Sequence, residues 1–261
     1  MLTTAAVLPH PPFAIKGLNA SMDRAYAPLH DAYARVGEHL RSRMVDSLLL
    51  LTCRGERYEH AFALAVHDPA RTSLREYGSM GYEWTWRTDT RLIDAMQRAF
   101  RKADIPTTLT TNETLDLSSC VVLSALRPWA EQMRISTLTL PAQSVALNRP
   151  GALLRDVLDG NGGRTAVLAL ADFSHRLTAT APKGVHPDAA ALDNRIRQAV
   201  IDQNLSALRA ITLQERLDVG AEELSSIELL LYVLGDTRPH FQEWAYLYPH
   251  GIGHSVLVAD L

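Results

Sequence analysis

The chain of 261 residues is 47% hydrophobic and 21% charged, with a formal net charge of -3 and a sequence pI near 6.4. That length supports a large buried core, while the mildly acidic balance argues against nucleic acid and anionic membranes as partners. Two cysteines, Cys53 and Cys120, fit a reducing compartment better than a disulfide framework. No basic leader opens the chain and no apolar run approaches the roughly 18 residues of a membrane span, so a cytoplasmic protein is expected.

Leu2 to Leu8 reads as a first strand, stopped by Pro9-His10-Pro11-Pro12 because proline donates no ladder hydrogen bond. Ser21 to Met44 has helical apolar spacing, with Pro28 expected to kink or split it. Ser47 to Thr52 is a continuous apolar run, the mark of a central strand covered on both faces. Tyr58 to Trp86 shows no clear period and reads as a long functional or interfacial loop. Its Tyr77, Tyr82, Trp84 and Trp86 would line an aromatic pocket or, more readily, a partner chain.

Thr88 or Asp89 caps a helix from Thr90 to Ala103, and Pro106 opens a strand to Thr110. Leu115 to Met133 contains a helix interrupted at Pro128, Ile135 to Leu140 is a strand, and Pro150 to Leu158 a short helix. Thr165 to Ala171 is another buried strand. Helices follow near Pro187 to Gln203, Leu205 to Ala210 and Glu222 to Leu234, the last read as core packing through Leu229, Leu230 and Leu231. A strand from Ser255 to Ala259 is expected to close the sheet. This alternation predicts an α/β protein, a three-layer α/β/α single domain over residues 1–261 with a mainly parallel or mixed central sheet.

Two histidines stand just past the carboxyl ends of predicted strands, His10 after the first and His175 in Asp172-Phe173-Ser174-His175. In open α/β sheets ligands collect outside those strand ends, so residues distant in sequence converge there. Pro9, Pro11 and Pro12 stiffen the backbone around His10. Asp172 or Ser174 could fix the tautomer of His175.

Val7-Leu8-Pro9-His10-Pro11-Pro12, the segment Ala171 to Leu177 and the ending Tyr248-Pro249-His250-Gly251-Ile252-Gly253 together resemble the class III extradiol ring-cleavage dioxygenases. That superfamily includes the catalytic subunit of protocatechuate 4,5-dioxygenase and the Memo-type proteins. The resemblance covers nearly the whole chain. It implies ferrous iron held by two histidines and a glutamate, with a second-sphere histidine as acid/base and open iron positions for the substrate oxygens and dioxygen. Carried over, His10 matches the first iron ligand and His175 the acid/base, with Asp172 beside it. Arg54 stands where the second ligand histidine belongs, Leu247 where the glutamate belongs, and Leu117 follows Leu115-Asp116 in place of a further histidine. Guanidinium stays protonated and has no lone pair to give a metal.

The resemblance therefore implies a chain that has lost iron and acts as a non-catalytic subunit or partner of an aromatic ring-cleaving dioxygenase, within a homo- or hetero-oligomer and with no cofactor. One alternative is an active Fe(II) enzyme on a catechol or aminophenol, with His60 or His250 as substitute ligands. A second is a metal-independent enzyme with His175 as base. In any of these Arg54, His250 and Ser174 are candidate contacts for an aromatic or anionic small molecule.

Overall fold

The computed structural model describes residues 1–75 and 78–261. Four parallel strands form the centre of an eight-stranded mixed sheet: β1 (Leu2–Leu8), β2 (Ser47–Thr52), β7 (Arg134–Thr139) and β8 (Thr165–Leu170). Two more strands extend it on one side, β3 (Phe62–Ala65), antiparallel to β7, and β6 (Thr107–Thr110), parallel to β3. On the other side lie β10 (His254–Asp260), antiparallel to β1, and the edge strand β9 (Phe241–Leu247). The order is β6-β3-β7-β2-β8-β1-β10-β9.

Strand alternation builds two cores. Ala6, Leu8, Leu48, Leu50, Ala166 and Leu168 face one way, against α1 (Ala20–Ser42) and α3 (Leu117–Ala130). Ala5, Val7, Leu49, Leu51, Val167 and Ala169 face the other, against α2 (Thr90–Lys102), α4 (Asn148–Gly160), α5 (Ala189–Ile201) and α8 (Leu224–Leu234). All four residues Leu48 to Leu51 are fully buried, as a central strand between two helical layers requires. The three-layer α/β/α fold expected from the sequence is the one present. Among the described residues no helix is long and apolar enough to cross a membrane.

Several local expectations are corrected. Pro28 and Pro128 neither split nor end their helices. Both are exposed, so each ring lies on the solvent side of its helix and not in the core. The supposed loop from Tyr58 to Trp86 contains β3 and a hairpin of β4 (Ala70–Leu74) and β5 (Ser79–Trp86). Tyr82, Trp84 and Trp86 alternate with exposed Gly81, Glu83 and Thr85 along β5, which is the period of two that marks a half-buried strand. Tyr77 lies outside the described residues. The strand read at Ser255 to Ala259 does not close the sheet: β9, unread in the sequence, covers it. Two short helices, α6 (Leu205–Arg209) and α7 (Leu213–Val219), precede α8, and α7 also had no counterpart in the sequence reading.

Candidate functional site

The carboxyl ends of β1, β2 and β8 deliver His10, Arg54 and Asp172 to one place, and the start of α8 delivers Glu223. His10 is buried, with its ring Nε2 donating to Glu223 Oε2 at 2.6 Å and its Nδ1 facing Asp172 Oδ2 at 3.4 Å. The His10 backbone N–H donates to Asp172 Oδ1 at 3.1 Å, and the Asp172 N–H donates to Glu223 Oε2 at 3.1 Å. Arg54 donates its Nε–H to Glu223 Oε1. From the opposite side His254, at the start of β10, donates Nδ1–H to Asp172 Oδ1 at 2.9 Å. Tyr33 pins the loop from beneath by donating its hydroxyl to the Pro9 carbonyl at 2.5 Å.

The electrostatics follow from this packing. Burial alone lowers the His10 pKa, but Asp172 and Glu223 outweigh it and carry the imidazole up to about 9. Burial likewise opposes charge on both carboxylates. His10 and His254 nonetheless hold Asp172 below the usual carboxylate range, and His10 with Arg54 does the same for Glu223. His175 moves the other way, its pKa lowered by burial. Its backbone N–H donates to Val219 O at 2.8 Å, and its Cβ lies 3.1 Å from where a side chain on Gly220 would start. Gly220 ends α7 with a φ of 77 degrees, a left-handed conformation that glycine takes without strain.

The sequence-derived candidates thus separate. His10, Asp172 and Arg54 meet directly, and His175 stands beside them, half-buried, within the field of Asp172, Glu223, His254 and Arg54. Ser174 does not offer a free hydroxyl: it is fully buried and donates to Val219 O at 3.2 Å, while its N–H donates to Asp193 Oδ1 at 2.8 Å. His250 is exposed on the rim, stacked on Tyr26 at 6.4 Å and touching Met22 Sδ at 3.3 Å. His60 is exposed in the loop after β2 and joins none of these contacts. Leu247 pairs with His254 on β9, and Asp116 caps α3 and accepts from Thr52. The aromatic strand β5 belongs to another region. Trp86 is buried against Thr72, and Trp84 lies under Arg127 at 4.9 Å.

Glu223 and His254 are the two participants that sequence reasoning missed. A pair of glutamates at the start of a helix is ordinary macrodipole chemistry, so Glu222 and Glu223 gave no sign that only the second turns inward. His254 lies between the Gly-rich ending and the strand read from Ser255, and it opens β10 beside β1.

A ferrous centre does not fit this arrangement. Both ring nitrogens of His10 face carboxylates, which carry its pKa up to about 9, so a metal would have to displace a tightly held proton to gain a lone pair. Arg54 adds a fixed positive charge on Glu223. Four cavities of about 360 to 690 Å³ open elsewhere, and none of them is lined by His10, Asp172 or Glu223.

Neither a protein-family model nor a curated protein matches the chain. Among solved structures it is similar to an uncharacterized protein from Escherichia coli K12, with a TM-score of 0.69 at 15% identity over 98% of this chain and 99% of that one. At that identity the likeness speaks for the fold alone.

Proposed function

We propose that this chain is a metal-free relative of the class III extradiol dioxygenases and serves, in the cytoplasm, as a non-catalytic subunit of a ring-cleaving dioxygenase of the same fold. One observation carries the reading: the residue at the second ligand position, Arg54, binds the carboxylate that also holds His10. A guanidinium there satisfies Glu223 without a metal, and a closed ion-pair cluster leaves no open coordination position for substrate and dioxygen. The partner would supply the iron and take the aromatic substrate.

The test is anaerobic purification with ferrous loading, metal analysis, and oxygen uptake with catechols and aminophenols, alongside co-expression with an active dioxygenase chain. The expected result is no stoichiometric iron, no uptake by the chain alone, and a stable complex with the active chain. Stoichiometric iron with turnover would sink the proposal.

A metal-independent acid–base enzyme is the second reading, favoured by His175. Its imidazole is half-buried with a pKa held below the ordinary value, so its lone pair is available at neutral pH. Arg54, whose side chain is 51% exposed, could hold an anionic substrate beside it. Turnover that survives a chelator and is lost in His175→Ala would favour this reading over the subunit.

A further inference from the structure

The largest of the four cavities, about 690 Å³, lies away from the histidine cluster, within the size range of small-molecule sites. Its walls are the loop after β7, α7 and the first turns of α8. Apolar lining comes from each of these walls, through Val145, Leu147, Ile211, Leu213, Leu217 and Tyr232. Leu213 and Leu217, one turn apart on α7, are 69% and 48% exposed. A helix of seven residues fixed at one end by a Thr212–Glu215 capping box and at the other by Gly220 thus holds two leucines toward solvent at the cavity mouth.

The charged groups of this cavity are unevenly matched. Arg209 pairs with Glu228 at 3.4 Å, and Glu222 acts on Arg54. Arg57 and Arg216 are different. Arg57 donates to the carbonyls of Leu140 and Pro141, and Arg216 donates Nε–H to Ile211 O at 3.2 Å. Neither forms an ion pair among the described residues, although Glu228 and Glu215 act on Arg216 from further off. Two guanidinium groups are therefore anchored by backbone carbonyls, each with donors left over, on a cavity with apolar side chains in its lining. A guanidinium keeps its charge at any working pH and favours carboxylate geometry, and burial of an apolar body against the leucines would add to the attraction.

We propose that this cavity is a binding site for a small amphipathic carboxylate, its head on Arg57 and Arg216 and its apolar body along α7. The site is independent of the histidine cluster, although the two share a wall: α7 ends at Val219, whose carbonyl accepts from His175 N–H and Ser174 Oγ–H.

Calorimetric titration of the full chain with 4-phenylbutyrate, its neutral analogue 4-phenylbutanol and acetate tests the site. The carboxylate is expected to saturate with a Kd of about 1 mM or below, as befits a ligand of this size, with the alcohol and acetate at least about tenfold weaker. Arg216→Gln and Arg57→Gln should each weaken phenylbutyrate about tenfold, and Leu217→Ser about threefold. No saturation by phenylbutyrate up to about 10 mM overturns the proposal. So does equal binding of the alcohol, or binding unchanged in the arginine variants. Should neither arginine variant fold, Leu217→Ser decides alone, because a half-exposed leucine contributes little to the core, and unchanged binding there overturns the site as well.

Discussion

Raising the pH from 6.5 to 9 perturbs the cluster at one point, the proton of His10. An imidazole carried from 6.5 to about 9 in the folded chain corresponds to about 3 kcal/mol of stability, at about 1.4 kcal/mol for each tenfold. Because the folded state holds the proton more tightly, this stabilisation is complete below pH 6.5 and is lost as the pH rises through about 9. Other shifted groups act outside that window. His39 and His175, with lowered values, cost stability only as the pH falls below 6.5. Cys53 and Tyr26, both pushed up to about 12, begin to matter only above their ordinary values of 9.0 and 10.0. Urea denaturation followed by tryptophan fluorescence, in chelator and at half-unit steps, should show the unfolding free energy falling by about 3 kcal/mol across the window with a constant m value. His10→Gln should be flat. A fall below about 1 kcal/mol in the parent, or an equal fall in His10→Gln, would refute the charged, doubly bonded His10.

Glu223→Gln keeps the shape and removes the anion that joins two cations, so it should cost about 3 kcal/mol and lower Tm by ~6–12 °C in a thermal melt; an unchanged Tm would mean the cluster contributes nothing. Arg54→His exchanges a guanidinium for an imidazole beside Glu223, and after cobalt loading the variant should gain visible absorption that the parent lacks. Colour in the parent would contradict the metal-free reading. Gly253→Ala places a Cβ 2.1 Å from Asp193 Oδ2, where it should cost more than about 2 kcal/mol. Gly81→Ala, whose added carbon meets nothing within 4 Å, should leave chemical denaturation unchanged.

The elements legible in the sequence were those whose burial is uniform. Leu2–Leu8 and Ser47–Thr52 lie between two helical layers, so every side chain is apolar or small and the run announces itself. β9 is an edge strand whose Gln242 is exposed and whose Glu243 pairs with Arg197, so its sequence carries no continuous apolar signal. Placement past a strand end found His10 and His175, with Asp172 beside it, because that rule depends only on chain order; Arg54 was found through the family resemblance, at the position of the second ligand histidine. The strand-end rule could not find Glu223, which reaches the same point from a helix start, or separate Ser174, whose hydroxyl is turned into the core, from Asp172, two residues earlier and facing the site.

The charge count of the cluster explains why metal and arginine exclude one another. Glu223 and Asp172 bring two negative charges into a buried position; His10 as imidazolium and Arg54 bring two positive ones, the charge of a ferrous ion. To bind His10, a divalent metal must first displace its proton, which at pH 7 against a pKa of about 9 weakens apparent affinity roughly 100-fold. It must then share Glu223 with a guanidinium that cannot be deprotonated. Removing Arg54 alone lifts only the second barrier, since His10 would still be held by both carboxylates. Cobalt binding by Arg54→His should therefore strengthen as the pH rises from 7 to 9, in the direction opposite to the loss of folding stability in the parent chain.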